Sequence, residues 1–475
     1  MYKVILRVGF LILLVIGFES GYYEYTVKNL SSMESYIDFF DDNVHQVDIN
    51  ISQENWKSIL DNPLEEEYHS CNVIIDGERF SNVGIRTKGN SSLSNIADSG
   101  ISDRYSFKIN FGKYEKGQTF YGLDEVCFNN LYADATYMKE YLSYDMFEYM
   151  GVPAPLCTFV NISINGQPWG LYVAVESIDE SFLKRNFGED SGELYKPESE
   201  LLRYEAQNGL EDDIEIKKYG EDLVYIDSNI ASYYTIFDTA KTKIGDKDKI
   251  RLINSIRGLN KSSDVSSYVD VDKVLKYWVV NNFISNYDCY LAEDIHNFYL
   301  YEKDGLMSFI PWDYNLSFGG YPYTAEDNYK YEPDMATHTV NLSILNPVNF
   351  GYKGQRPMFE RVVEQNKGLY SEYINRFITN YFDNGHFEIK YNIMVEKLKP
   401  YIENDMSAFY TIEEVEKAQS LLKEFIELRV MSVKGQLDGS VIDGNYSTYI
   451  DASHINLEEM GHQKGGYVHV KGEEK

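Results

Sequence analysis

Three Asx-Gly dipeptides, each set between alternating apolar segments, constrain the fold of this chain more than any other feature. Such a pair supplies the two left-handed residues of a tight hairpin turn. Asn165-Gly166 joins residues 159–164 to 169–175, Asp76-Gly77 joins 71–75 to 79–86, and Asp304-Gly305 joins 297–301 to 306–311. Residues 47–51 also alternate, as do 106–111, where Phe107, Ile109 and Phe111 share one face and Lys108 takes the other. One helix is expected over 136–150, capped by Asp134 or Thr136 and stopped by Gly151-Val-Pro153. The pattern predicts a β-rich unit over residues 45–180.

The rest of the chain changes period. Residues 181–280 read as mainly helical with a polar section around 197–230, and 358–437 as helical throughout. Ala418, Leu421, Leu422, Phe425 and Leu428 form an apolar stripe at helical spacing. The fold class is therefore α+β, with a second, mainly helical unit over 181–437. Residues 438–475 turn polar and Gly-rich and are expected to be a weakly ordered tail. Residues 1–21 place a short basic region before an apolar run, the pattern of a signal peptide or an uncleaved N-terminal anchor, and are set aside from the fold. Association with a membrane is expected only if that segment stays uncleaved. Export predicts a secreted protein, or one on the cell or spore surface.

Charge restricts the partners. With a formal net charge of −31 the chain repels nucleic acid and anionic lipid, and favours divalent cations and basic protein partners. Cys71, Cys127, Cys157 and Cys289 are too irregularly spaced for a zinc site; one or two disulfides and free buried thiols are both compatible with the spacing.

The third hairpin carries chemistry at its open end. Asp288 lies in Asn286-Tyr-Asp288, and Asp313 follows Ile310-Pro-Trp, both in apolar, aromatic surroundings where an unpaired carboxylate is costly. One carboxylate can orient a nucleophilic hydroxyl while the other, with Asn297, holds Mg²⁺ against phosphates, which is the layout phosphoryl transfer needs. His296 in the same loop lacks a second His at zinc-ligand spacing. Upstream, Arg86-Thr-Lys88-Gly89-Asn90-Ser91-Ser92 leaves a strand into a Gly/Asn/Ser turn and reads as a phosphate cradle or as an ordinary polar turn. Lys108 can reach phosphates, Glu140 on the following helix is its candidate partner, and Lys196 falls in the connector between the two units.

Taken in order, Gly84-Ile-Arg-Thr-Lys-Gly-Asn-Ser-Ser92, Ser106-Phe-Lys-Ile109, Gly151-Val-Pro-Ala-Pro155, Asn165-Gly-Gln-Pro-Trp-Gly-Leu-Tyr172, Leu194-Tyr-Lys196 and Ile310-Pro-Trp-Asp-Tyr314 resemble the spore coat protein H (CotH) kinase family. The resemblance covers roughly residues 45–437. It implies a two-lobed, atypical protein-kinase-like fold, with a β-rich N-lobe and a mainly helical C-lobe. It also implies ATP with Mg²⁺ or Mn²⁺ as cofactors and transfer of the γ-phosphate to Ser/Thr of coat or extracellular proteins. By that resemblance Asp288 takes the catalytic-loop position, Asp313 the metal position and Asn297 the second metal position. Lys108 with Glu140 would form the phosphate-binding pair, Lys88 competing with Lys108, and Arg86, Ser91, Ser92 and Lys196 would line the nucleotide. Asn297 lies nine residues after Asp288, against about five in ordinary protein kinases. Asn315 stands where many relatives carry a further Asp. A catalytically silent scaffold, or a surface adhesin, on the same fold is the alternative.

Overall fold

The structure is a computed structural model and describes residues 35–100, 102–199, 219–292, 295–321, 334–347 and 355–461. The expected N-terminal signal or anchor segment and the last fourteen residues of the tail, 462–475, lie outside the described residues.

Seven strands close into a barrel: β1 (Val44–Ile51), β2 (His69–Ile75), β3 (Glu78–Lys88), β4 (Ser106–Asn110), β5 (Glu125–Asn129), β6 (Cys157–Ile164) and β7 (Gln167–Glu176). Their order is β1-β2-β3-β4-β5-β7-β6, and a parallel β1–β6 pairing closes the ring, so no edge is left open. Alternation fills the interior with Val47, Ile49, Val73, Ile85, Phe107, Ile109, Phe128 and Val160. The turns at Asp76-Gly77 and Asn165-Gly166 have positive φ at both residues, as the dipeptides require.

Two helices cap the barrel's rim, α1 (Gln53–Asp61) and α2 (Ser91–Ser99), and α3 (Lys139–Tyr149) connects β5 to β6. The outer faces of β6 and β7, including Phe159, Leu171, Val173 and Val175, share one core with α3 and with the helices that follow. α4 (Glu180–Phe187) instead buries Phe182 and Leu183 in a smaller cluster with Leu194, Tyr301 and Ile310. The helices of the shared core are α5 (Asp246–Lys261), α6 (Val271–Phe283), α7 (Met335–Val340), α8 (Pro357–Gln365), α9 (Lys367–Phe377), α10 (His386–Asn404) and α11 (Ile412–Asp438). A three-stranded sheet is set among them, ordered β10-β9-β8, from β8 (Glu193–Tyr195), β9 (Phe298–Lys303) and β10 (Leu306–Pro311). Ala418, Leu422 and Phe425 of the expected stripe are fully buried on α11.

The architecture is thus mixed α+β, β-rich first and helical after. One expectation is modified. The polar stretch after Gly439 packs rather than hanging free: Ala452 and Met460 are fully buried, because a few well-spaced apolar residues suffice to hold an otherwise polar segment. Of the two readings open for the cysteines, the structure shows free thiols at all four. Among the described residues no helix is long and apolar enough to cross a membrane.

A buried ion pair ties the barrel to the helical part. Arg104 Nη1 donates to Asp405 Oδ2 at 2.7 Å, and both side chains are 1% exposed. Arg104 also donates to the carbonyls of Asn130 and Leu171, and Asp405 accepts from Leu171 N–H at 2.9 Å. Gly170 makes the approach possible: at φ +116°, a Cβ there would lie 2.3 Å from Arg104 Nη1 and 2.4 Å from Asp405 Oδ1. The Trp-Gly-Leu-Tyr segment of β7 therefore has a packing cause. Burial alone would raise Asp405, but the Arg104 charge and these hydrogen bonds hold its carboxyl below the ordinary range. Asp405→Ala leaves an unmatched buried guanidinium and should cost about 3–5 kcal/mol in urea unfolding. The double change Arg104→Met with Asp405→Leu should cost less than that single change.

Candidate functional site

The site begins with register. β3, β4 and β5 pair so that Lys88 stands opposite Ser106, and Arg86 opposite Lys108. Lys108 in turn opposes Cys127. Residues two apart share a face, so Arg86, Lys88, Lys108, Glu125, Cys127 and Asn129 all lie on the barrel's outer face. Lys88 and Asn129, at the strand ends, meet: Lys88 Nζ donates to Asn129 Oδ1 at 2.7 Å.

Asn129 passes the contact on. Its Nδ2 donates to Glu140 Oε2 at 2.7 Å, and Tyr144 donates its hydroxyl to Glu140 Oε1 at 3.2 Å. Glu140 and Tyr144 lie one helical turn apart on α3, which explains their pairing. The Tyr144 hydroxyl also accepts from the backbone N–H of Asp313 at 3.1 Å. Lys88, Asn129, Glu140, Tyr144 and Asp313 are thereby one connected network. Trp312 closes its flank, with Lys88 Nζ 5.8 Å from the indole centroid.

Glu140 is 4% exposed. Burial, and then the charge of Asp313, push its carboxyl up to about 7, while Asn129 and Lys88 oppose the rise. The group is short of positive charge at neutral pH.

The β9–β10 hairpin brings the second carboxylate to the same end. Phe298 pairs with Pro311, so Asn297, just before β9, and Asp313, just after β10, emerge together. Asn297 Nδ2 donates to Asp288 Oδ2 at 2.9 Å, and His296 Nε2 pairs closely with Asp288 Oδ1. Asp288 N–H donates to Asn286 Oδ1 at 3.2 Å. Backbone strain gathers here, with φ of +56° at Asn297 and +61° at Asp313, conformations that surrounding contacts must hold in place. The stretch after Asp313 is pinned onto the Asp288 loop by Phe318 N–H to Ile284 O, 2.7 Å, and by Tyr314 to Asn281 Oδ1, 2.9 Å.

Of the residues predicted from sequence, the structure gathers Asp288 with Asn297, and Lys88 with Glu140 and Asp313. It does not bring Lys108 to Glu140. Lys108 forms an ion pair with Glu125, because it stands two residues farther along the sheet than Lys88. Arg86 is engaged by Glu66 and by its own Thr87 carbonyl. Ser91 and Ser92 open α2 directly after the Lys88-Gly89 turn. Lys196 Nζ lies 3.7 Å from Glu198 and 6.0 Å from the Tyr299 ring centroid. Lys241, unmarked in the sequence, is an exposed cation within electrostatic reach of Lys196 and Lys108: partial desolvation, then those two charges, lower its pKa. Asn129, Tyr144, Trp312 and His296 likewise escaped the sequence reading as site residues; an Asn at a strand end and a Tyr one turn after Glu140 were the signals present.

Among the described residues no three His, Cys, Asp or Glu side chains are grouped to hold a metal by themselves. The donor set fits a cation shared with phosphate: one half-exposed carboxylate, Asp313, an Asn carbonyl, and a buried Glu short of positive charge. Mg²⁺ keeps few protein ligands and takes the rest from phosphates and water.

Residues 85–433 match the CotH kinase protein family. The chain is also 27% identical over 331 residues to Inner spore coat protein H of Bacillus subtilis (strain 168), which covers 67% of this chain and 80% of that protein. With the match spanning most of its sequence and the motifs anticipated from the residues, this chain belongs to the CotH kinase protein family.

Proposed function

We propose that this chain is an atypical protein serine/threonine kinase of two-lobed, kinase-like architecture, exported to a coat or surface location, transferring the γ-phosphate of ATP to proteins. The observation that carries the reading is the Lys88–Asn129–Glu140–Tyr144–Asp313 network, set at the same end of the β9–β10 hairpin as Asn297 and Asp288. Lys88 is the cation within that network and the choice for the phosphates in place of Lys108. The Gly89–Ser92 turn into α2, with Ser91 and Ser92, would receive further phosphate oxygens. Asp313 would hold the divalent cation with the carbonyl end of Asn297, whose NH₂ is already given to Asp288. Mg²⁺ or Mn²⁺, when bound, supplies charge neutralisation for the phosphates.

Asp288 orients the acceptor hydroxyl and accepts its proton, and its two oxygens are fixed by Asn297 and His296. With little covalent work for the protein to do, the contribution of these side chains is placement and charge. The net charge of −31 supports Ser/Thr substrates rich in Lys and Arg.

Radiolabelled ATP with the purified chain tests the assignment. Asp288→Asn should lower phosphate incorporation by about 10²–10⁴-fold, and Lys88→Met by about 10²-fold or more. Lys108→Met should stay close to wild type. Incorporation surviving both Asp288→Ala and Asp313→Ala contradicts the reading; MgATP binding without any transfer by the wild type favours the silent scaffold.

Glu140 gives a pH signature. Its folded pKa, about 7, exceeds the ordinary 4.5, so ionising it costs stability: the penalty is absent below about 4.5 and complete above about 7. A bound cation near Asp313 relieves that penalty, so MgATP binding should release a proton and tighten as pH rises through this window. Calorimetry in two buffers of different ionisation enthalpy measures the proton count, and Glu140→Gln should abolish it.

Substrate charge is testable with paired peptides. A Ser peptide flanked by Lys and Arg should be phosphorylated faster than its Asp/Glu counterpart, and the preference should shrink as salt rises. Equal rates at low salt would refute this preference.

A further inference from the structure

The segment from Ser440 to Gly461 lies beyond residues 85–433, the part matched to the family, and it crosses the molecule to reach the site. It leaves α11 through Val441 N–H to Gly435 O, 2.9 Å. Ile450 and Asn341 exchange two hydrogen bonds, N–H to Oδ1 at 2.9 Å and Nδ2 to the carbonyl at 2.8 Å. Ala452 N–H donates to Thr337 Oγ1 at 2.9 Å. A short turn, Leu457–Met460, then buries Met460 completely.

The segment's end is seated with little tolerance. Gly461 has φ +86°, and a Cβ there would lie 2.5 Å from Ala133 O and 2.6 Å from Ala135 N. Its carbonyl accepts from Lys139 Nζ at 2.8 Å. Lys139 is the first residue of α3, fully buried, and the neighbour of Glu140. Burying an ammonium is costly without good partners. Burial lowers Lys139 to about 8, against the opposing pull of Asp134. Asp134 Oδ2 in turn accepts from Lys139 N–H at 2.9 Å, fixing the helix start.

The same segment presses on the stretch that leaves Asp313. Leu457 Cδ1 lies 3.2 Å from where a Cβ of Gly319 would stand, and Lys139 Nζ lies 2.8 Å from the corresponding point at Gly320. Ser143 on α3 and Ser317 share a hydrogen bond of 2.9 Å, so the two elements also meet directly beneath the strap.

We propose that residues 440–461 form a strap that sets α3 against the stretch after Asp313, with Lys139, Leu457 and Gly461 as positioning residues for the phosphate-transfer network. The inference rests on the kinase reading for its catalytic consequence only. The strap acts through Glu140 and Asp313, which must hold a fixed separation around a nucleotide's phosphates, and small misplacements at such a site lower turnover steeply.

The test uses the full chain with two variants. Gly461→Val unseats the end of the strap, and Leu457→Ala weakens its pressure on Gly319 without straining the backbone. Native-state hydrogen exchange should accelerate in residues 133–145 and 313–320 of both variants while β6 keeps its wild-type protection. Turnover should fall about ten- to hundredfold, with the unfolding midpoint of Leu457→Ala near that of the wild type. Unchanged exchange at both stretches, or acceleration spread evenly over the barrel, overturns the strap. If the wild type transfers no phosphate, the kinase reading fails, and the exchange pattern still decides the strap.

Discussion

A carboxylate buried where the barrel meets the helical part is the constraint on which the site depends. Glu140 cannot stay there cheaply as an ion, so its two oxygens are given donors from different elements: Asn129 from β5 and Tyr144 from its own helix. Each donor is itself committed elsewhere. Asn129 takes a hydrogen bond from Lys88, and Tyr144 takes one from the backbone of Asp313. The position of β3, the tilt of α3 and the strained backbone at Asp313 are thereby tied to one side chain. Burial first, and then the charge of Asp313, raise its pKa despite those donors.

The larger fold keeps that junction rigid. The Arg104–Asp405 pair fastens β7 to the turn after α10, and Gly170 supplies the space for it. Arg429, fully buried on α11, donates to the carbonyls of Phe283, Val340 and Leu342, so the helix before the Asp288 loop is fixed from behind. Charge is thus placed inside the molecule where backbone ends need donors, although the chain as a whole is strongly acidic. Arg86 and Lys108 share the barrel's outer face with Lys88, and Lys241 lies within electrostatic reach of Lys108 and Lys196, these cations being partly offset by Glu66, Glu125 and Glu198. In a chain with a net charge of −31, that local concentration of cations lowers the repulsion an anionic ligand would meet.

Much of this was legible in the sequence, for identifiable reasons. The Asx-Gly dipeptides announced three hairpins because such pairs readily take two positive φ values in succession. Asp288 and Asp313 stood out because a carboxylate within an aromatic segment needs a purpose. The choice between Lys88 and Lys108, of which Lys88 reaches Glu140 through Asn129, was left open by the sequence. Both lysines alternate outward on adjacent strands, and only the register, Lys88 against Ser106, tells which reaches the end of β5. Asn129 was hidden because a neutral amide carries no charge signal. The strap was hidden by composition: Ala452, Ile455 and Met460 are few among polar neighbours, and their burial depends on contacts far along the chain.

A crystal structure with a non-hydrolysable ATP analogue and Mg²⁺ tests the central claim most directly. The account predicts the terminal phosphates within about 3 Å of Lys88 Nζ, the metal on Asp313, and Glu140 still bonded to Asn129. Phosphates bound at Lys108 with Lys88 uninvolved, or a nucleotide seated away from the β9–β10 hairpin, would contradict it.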